Sequence, residues 1–343
     1  MKYQGANNWD GLLDPLDDIL RSEIIRYGEF VKAAYTCFDF DPSSTSYATC
    51  RFPKDYLLGR SGLPDTGYRV TRQLYATSGC FLPKWAHVGP SWLSRRSSWI
   101  GYVAVCTDKE EIARLGRLDV IIAYRGTSTC LEWLENLRAT LIHLPSAASC
   151  SSQTDPMVEC GFWSLFTSSS TAYCSLRDQV RDEVGRILAT YKGSDEPFSL
   201  TVTGHSLGAA LAVLTAYDIT ETFRDAPMVT VVSFGGPRIG NASFCRRLEE
   251  LGGKVLRIVN THDIVTKVPG FVVDQDHPDE AEGVIIPIWL LSKMGWAYAD
   301  IGRELRLSSR GRTTNVVASH DLNVYLNLVS QLSATCTFNS SAF

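Results

Sequence analysis

Gly204-His205-Ser206-Leu207-Gly208 sets one serine between two glycines in a G-x-S-x-G pattern. A serine hydroxyl is a weak nucleophile until a base takes its proton. The spacing suits a tight strand-to-helix turn that holds the serine in a strained backbone conformation while the glycines let neighbouring chain approach closely. Ser206 would then project alone from the top of a sheet and could attack an acyl carbon. At the start of a helix, the backbone N–H of Leu207 can donate to the developing oxyanion, and the helix dipole favours negative charge there. A glycine-flanked turn serine with no chemistry is the plain alternative. Its context speaks against that, with a β-type run before it and the small residues Ala209, Ala210 and Ala212 after it.

In the α/β-hydrolase order, the acid and the histidine follow the serine. Only His262, His277 and His320 lie beyond Ser206. His277 sits in an acidic, Pro-containing stretch with Asp274, Asp276, Asp279 and Glu280, which reads as a solvated surface. His262 directly precedes Asp263, and adjacent side chains at a strand end point apart. His320 opens a helix-like tail (Leu322, Tyr325, Leu326, Val329) and is chosen as the general base; a structural histidine is the bland reading. Asp263 lies just past the strand-like run Lys254 to Asn260, at the carboxyl end where open α/β sheets keep their sites. It is the acid expected to orient the base, in preference to Asp218 within a helix or Asp274; a turn-capping Asp is its alternative. A second oxyanion donor is expected after an earlier strand, where Tyr124-Arg125-Gly126-Thr127 makes the N–H and hydroxyl of Thr127 candidates. Leu131, Trp133, Leu134, Leu137 and Leu141 then alternate with Glu132, Glu135, Asn136 and Arg138. That amphipathic stretch is a core-facing helix or, beside an oxyanion loop, a lid over about 128–145.

These residues need elements to hold them. The start, to about Phe40, reads as a helix, with Pro15 suited to its first turn and Ile19, Ile24, Tyr27, Val31 and Ala34 at helical intervals. Asp41 to Arg96 is punctuated by Pro, Ser and Gly and reads as surface decoration with short elements. Trp99 to Thr107 and Asp119 to Tyr124 read as neighbouring strands separated by a charged turn containing Lys109-Glu110-Glu111. A helix is expected over Leu176 to Tyr191. Strand and helix then alternate: Ser199 to Thr203, Leu207 to Thr222, Val229 to Phe234, Ser243 to Leu251, Lys254 to Asn260. Such alternation predicts an α/β fold, a mostly parallel central sheet covered by helices on both faces, as one domain over 1–343 with helical and loop decoration at 1–97.

Across 343 residues, 45% are hydrophobic and 20% charged, enough apolar content for a sizeable core and too much for wholesale disorder. The net charge of −4 offers no basic field for nucleic acid and no general pull toward anionic lipid, so any membrane contact is expected to be local and apolar. No apolar run approaches the ~20 residues needed to cross a bilayer. Met1-Lys2-Tyr3-Gln4 has neither the apolar core of a signal peptide nor the Arg/Ser bias of a transit peptide, as expected of a chain whose targeting segment is removed or absent. Ten scattered cysteines form no C-x-x-C pair and no zinc spacing, and read mainly as buried or free thiols of a reducing compartment.

With GHSLG, YRGT, FGGPRIGN (Phe234 to Asn241) and IVNTHDIVTKVPG (Ile258 to Gly270), the chain resembles the class 3 lipases. It is more closely similar to the plant class I phospholipase A1 group of anther-dehiscence-lipase type. The likeness runs from YQGANNWDGLLDPLDD (Tyr3 to Asp18) through SSWIGYVAVCTDKEEIARLG and LEWLENLRATL to SHDLNVYLNLV (Ser319 to Val329). The resemblance implies an α/β-hydrolase fold with a lid helix, a triad of Ser206, Asp263 and His320, and an oxyanion hole at Thr127 and Leu207. It further implies hydrolysis of sn-1 acyl esters of phospholipids, galactolipids or acylglycerols at a membrane or lipid-droplet surface, in the chloroplast rather than the cytoplasm. Fungal members carry a His two residues before the Gly-Phe that here is Gly161-Phe162, where this chain has Glu159, so that role is not carried over. Acyl transfer of this kind needs no metal or organic cofactor. Two rivals are a carboxylesterase on small soluble esters, whose rate would ignore micelles, and a non-catalytic lipase-like signalling module, whose triad would be incomplete.

Overall fold

Parallel strands that are aliphatic on both sides need both faces covered, most often by helices. The computed structural model describes residues 1–78, 97–127, 140–144, 155–193, 196–224, 226–269, 298–308 and 316–332. Along them run α1 (Asp18–Cys37), α2 (Leu57–Arg60), β1 (Tyr68–Thr77), β2 (Ser97–Cys106), α3 (Lys109–Leu115), β3 (Leu118–Tyr124), β4 (Leu141–His143) and β5 (Met157–Glu159). There follow α4 (Cys160–Thr167), α5 (Leu176–Thr190), β6 (Phe198–His205), α6 (Leu207–Thr222), β7 (Val229–Phe234), α7 (Ala242–Glu250), β8 (Lys254–Asn260), β9 (Arg303–Leu307), α8 (Val316–Ser319) and α9 (Leu322–Gln331).

Seven of the described strands form one sheet in the order β1-β2-β3-β6-β7-β8-β9. β3, β6, β7, β8 and β9 are parallel, whereas β1 and β2 join antiparallel at one edge. Side chains alternate between two cores. Val120, Ile122, Leu200, Val202 and Val231 pack with α4, α5 and α6, while Ile121, Ala123, Val232, Leu256 and Ile258 pack with α1 and α9. The fold is thus the expected α/β-hydrolase arrangement, with helices on both faces of a mostly parallel sheet.

Several local expectations change. Helix α1 begins at Asp18 because the Asp17 carboxylate accepts from the N–H groups of Ile19 and Leu20; Pro15 lies before the helix, not in its first turn. The charged turn around Lys109 is helix α3, capped by the Asp108 side chain on the N–H of Glu111 and stopped by Gly116 at φ 64°. Within the stretch read as decoration, Tyr68–Thr77 is a full edge strand paired with β2. Leu141 does not continue an amphipathic helix. It starts β4, which pairs antiparallel with β5. The lid residues Leu131, Trp133, Leu134 and Leu137 lie outside the described residues, as does His277.

The two helices of one face, α1 and α9, touch each other as well as the sheet. At Gly28 an added Cβ would overlap the Leu326 side chain and come within 3.2 Å of Phe234, so the crossing depends on a residue without a side chain. Below, at the amino ends of β3 and β6, α1 is fastened by ions. Arg117 meets Glu23 at 2.5 Å, Arg26 meets Glu23 at 2.9 Å and Asp119 at 3.1 Å, and Ser199 donates to Asp119 at 2.6 Å.

Candidate active site

At the other end of the sheet, β6 stops at His205 and α6 starts at Leu207, leaving Ser206 as the whole connection. Its backbone sits at φ 59°, ψ −125°, a conformation that costs a non-glycine residue about 1–3 kcal/mol. The glycines explain why so sharp a turn is possible. A Cβ on Gly204 would overlap the backbone of Gly208, and one on Gly208 would lie 2.5 Å from the Arg125 carbonyl and 2.7 Å from that of Tyr124. One on Gly126 would reach within 2.9 Å of the Ser206 Cβ. The loop after β3 is therefore pressed directly against the serine. Ser206 N–H donates to the Phe234 carbonyl at 3.0 Å, tying the turn to β7. Ala209 and Ala210 donate back to the Ser206 carbonyl, while the N–H of Leu207, in the first helical turn, has no acceptor within the helix.

Asp263 follows β8 and is fully buried, as is nearly all of His320. His320 Nδ1 and Asp263 Oδ2 are 2.6 Å apart. A carboxylate oxygen accepts, so Nδ1 carries the hydrogen and Nε2 is the unprotonated nitrogen of the neutral ring. The same Oδ2 accepts from the Tyr325 hydroxyl at 2.6 Å, and Oδ1 accepts from the N–H of Val265 at 2.9 Å. Burial, and then the neighbouring Asp263 charge, push the Tyr325 hydroxyl well above the ordinary tyrosine range, so it stays protonated and keeps donating. The His320 loop is pinned by Asn260, whose Nδ2 donates to the Ser319 carbonyl at 2.9 Å. By contrast, His262 is exposed and Asp218 is spent on Arg181, held at 2.7 Å by both guanidinium edges.

The loop carrying Thr127 is oriented by Arg125. This buried guanidinium lies 3.5 Å from the centroid of the Phe38 ring and donates to the carbonyls of Trp99 at 3.0 Å and Gly126 at 2.7 Å, and to the Ser98 hydroxyl at 2.9 Å. Burial pulls its pKa down to about 10, still charged at neutral pH. Because the Gly126 carbonyl and the Thr127 N–H belong to one planar trans peptide, fixing the carbonyl on Arg125 aims the N–H the opposite way. The Thr127 hydroxyl is buried and has no hydrogen-bond partner among the described residues.

Thr127, Leu207 and Asp263 thus follow the carboxyl ends of β3, β6 and β8, with Ser206 at the end of β6; His320 is in direct contact with Asp263, and the loop before Thr127 presses on Ser206 at Gly126. Sequence reasoning missed Tyr325, Asn260, Arg125 and, as argued below, Tyr35 and His205. A tyrosine on an apolar helix face was the available signal, since a buried hydroxyl seeks a partner.

A nucleophile elbow on a parallel sheet, with a histidine–carboxylate pair on later loops, defines the α/β-hydrolase class of serine hydrolases. The family model for lipase (class 3) matches residues 121–273. The chain is 58% identical over its whole length to the phospholipase A(1) DAD1, chloroplastic, of Arabidopsis thaliana, and spans 78% of that protein. It is 41% identical over 96% of its length to the phospholipase A1-Igamma2, chloroplastic, of the same plant, spanning 64% of it. Among solved structures, the Lip2 lipase of Yarrowia lipolytica shares the fold, with a TM-score of 0.52 and 19% identity over 85% of this chain and 80% of that one. The chain belongs to the class 3 lipases, within their plant phospholipase A1 group. It is an enzyme, a lipid acyl ester hydrolase.

Proposed function

We propose that the chain removes sn-1 acyl groups from phospholipids or galactolipids, and accepts acylglycerols, through an acyl-enzyme on Ser206. The observation that carries this reading is the 2.6 Å contact of His320 with buried Asp263, on the side of the sheet where Ser206 is held in its strained turn. His320 Nε2 takes the Ser206 proton as Oγ attacks the ester carbonyl, and Asp263 stabilises the imidazolium. The oxyanion accepts from the N–H groups of Leu207 and Thr127, with the Thr127 hydroxyl a third donor. The imidazolium then protonates the departing lysolipid oxygen, and water cleaves the acyl-enzyme by the same steps in reverse order of roles.

The chain works in this reading as a single domain with its amino-terminal layer at 1–97, at a membrane or lipid-droplet surface in the chloroplast, the compartment in the names of both plant relatives. The lid expected over about 128–145 falls mostly outside the described residues, and Leu141–His143 within it is strand β4. The test is purified protein and its Ser206→Ala variant on vesicles of phosphatidylcholine or monogalactosyl diacylglycerol, with the released chain assigned to sn-1 or sn-2. Release from sn-1 by the wild type and loss of more than about 10⁴-fold in the variant are expected. Hydrolysis of soluble short esters alone would favour a carboxylesterase, and an active Ser206→Ala protein would remove the serine from the mechanism.

A further inference from the structure

His205, the residue before the nucleophile, is buried with both ring nitrogens engaged. Nε2 lies 2.7 Å from the His320 carbonyl, and Nδ1 lies 2.7 Å from the Tyr35 hydroxyl, which in turn accepts the N–H of Gly126 at 2.8 Å. These contacts fix every proton. The carbonyl can only accept, so Nε2 bears hydrogen; Nδ1 then accepts from Tyr35, whose oxygen keeps a lone pair for Gly126. Burial first, and then the proximity of His320 with ring centroids 4.6 Å apart, hold the imidazole of His205 well below the usual histidine range. It is neutral beside a second histidine that becomes an imidazolium during turnover.

We propose that Tyr35 and His205 are positioning residues for acyl transfer, a two-side-chain strut joining the oxyanion loop at Gly126, the nucleophile turn at Ser206 and the base loop at His320. This inference rests on the reading of Ser206, His320 and Thr127 given above. The three loops come from distant parts of the sequence, and each contributes one group whose placement decides the rate. Tyr35, on α1, meets all three through two hydrogen bonds and one imidazole. Neither Tyr35 nor His205 touches the acyl group, and the strut acts by keeping Thr127, Ser206 and His320 in one geometry; displacements near 1 Å at such sites cost about 100-fold in rate.

The test measures kcat and KM on a soluble short-chain ester, with active sites counted by complete labelling with a fluorophosphonate. Tyr35→Phe keeps the ring and loses the hydroxyl. Its kcat per labelled site is expected to fall about 10- to 100-fold with KM within about twofold. His205→Gln keeps a donor near the Nε2 position but loses the Nδ1 acceptor, and is expected to fall clearly less than His205→Leu, which loses both and falls as Tyr35→Phe does. A Tyr35→Phe protein with fewer labelled sites but full kcat per site would mark a merely structural role and overturn the proposal. So would equal rates for the Gln and Leu variants, which also decides the matter should Tyr35→Phe fail to fold. An active Ser206→Ala control would instead sink the underlying reading of the site.

Discussion

The sheet is closed at both ends by buried polar groups that bridge α1 to the strands, and the two ends are built oppositely. At the amino ends of β3 and β6, two guanidinium groups (Arg26, Arg117) face two carboxylates (Glu23, Asp119), with Tyr27, Tyr68, Ser199 and Thr201 filling in hydrogen bonds. At the carboxyl ends, Asp263 is buried with neutral donors around it, the serine is strained, and the Thr127 hydroxyl has no described partner. Balanced charge in low dielectric resists removal of any member, because the survivor is left buried and alone. At the other end the hydrogen-bond partners of Asp263 are neutral, and in the proposed mechanism the carboxylate gains an adjacent positive charge when His320 takes a proton. The first end is built to hold the fold, and the second carries the groups proposed for acyl transfer.

That contrast can be broken by exchanging what each end loses. Asp263→Asn should give the largest effect, a fall of about 10⁴ in kcat, since the amide lets the imidazole settle in the wrong tautomer. Thermal unfolding should scarcely move. If activity and stability fell together, Asp263 would belong with the structural ions. Arg117→Met should do the reverse, costing about 3–5 kcal/mol by urea titration through stranded Glu23, while kcat per active site stays near the wild-type value. A rate loss on that scale would mean the two ends are coupled.

The smallest effect is one of pH. Burial alone would raise the Glu23 carboxyl, but the charges and hydrogen bonds of Arg26 and Arg117 outweigh it and hold the group below its usual value. A carboxylate depressed in the folded state adds stability above its unfolded pKa of about 4.3, lost as pH falls through the lower folded value. The urea midpoint should therefore decline below about pH 4. In Glu23→Gln it should start lower and decline less over the same interval; an identical slope would take Glu23 out of the acid transition.

How much of this was legible depended on which signal each element leaves. Leu207–Thr222, Val229–Phe234 and Lys254–Asn260 have the bounds expected from the sequence, because most of their side chains are buried and read as largely apolar runs. Edge strands leave no such trace. In β1, Arg69 is exposed and Arg72 and Gln73 are only partly buried, and register shifts at Val70/Arg72 and Leu74/Tyr75 break the alternation. β9 is RELRL, and its pairing with β8 is helped by the Arg257–Glu304 ion pair that no local pattern announces. Helix α3 had a signal that was overlooked, Asp108 followed three residues later by Glu111. In the proposed site, order and position are what point to Ser206, His320 and Asp263, but Tyr35 and Tyr325 occupy apolar faces where periodicity counts only their rings. Their hydroxyls matter through contacts 170 and 62 residues away in sequence.

The packing of α1 against α9 makes the proposed site a junction between distant parts of the chain. α9 docks over Gly28 and carries Tyr325 to Asp263, while α1 carries Tyr35 to Gly126 and His205. Because one helix pair holds both tyrosines, a change that loosens the crossing at Gly28 is expected to disturb the surroundings of Asp263 and of His205 together.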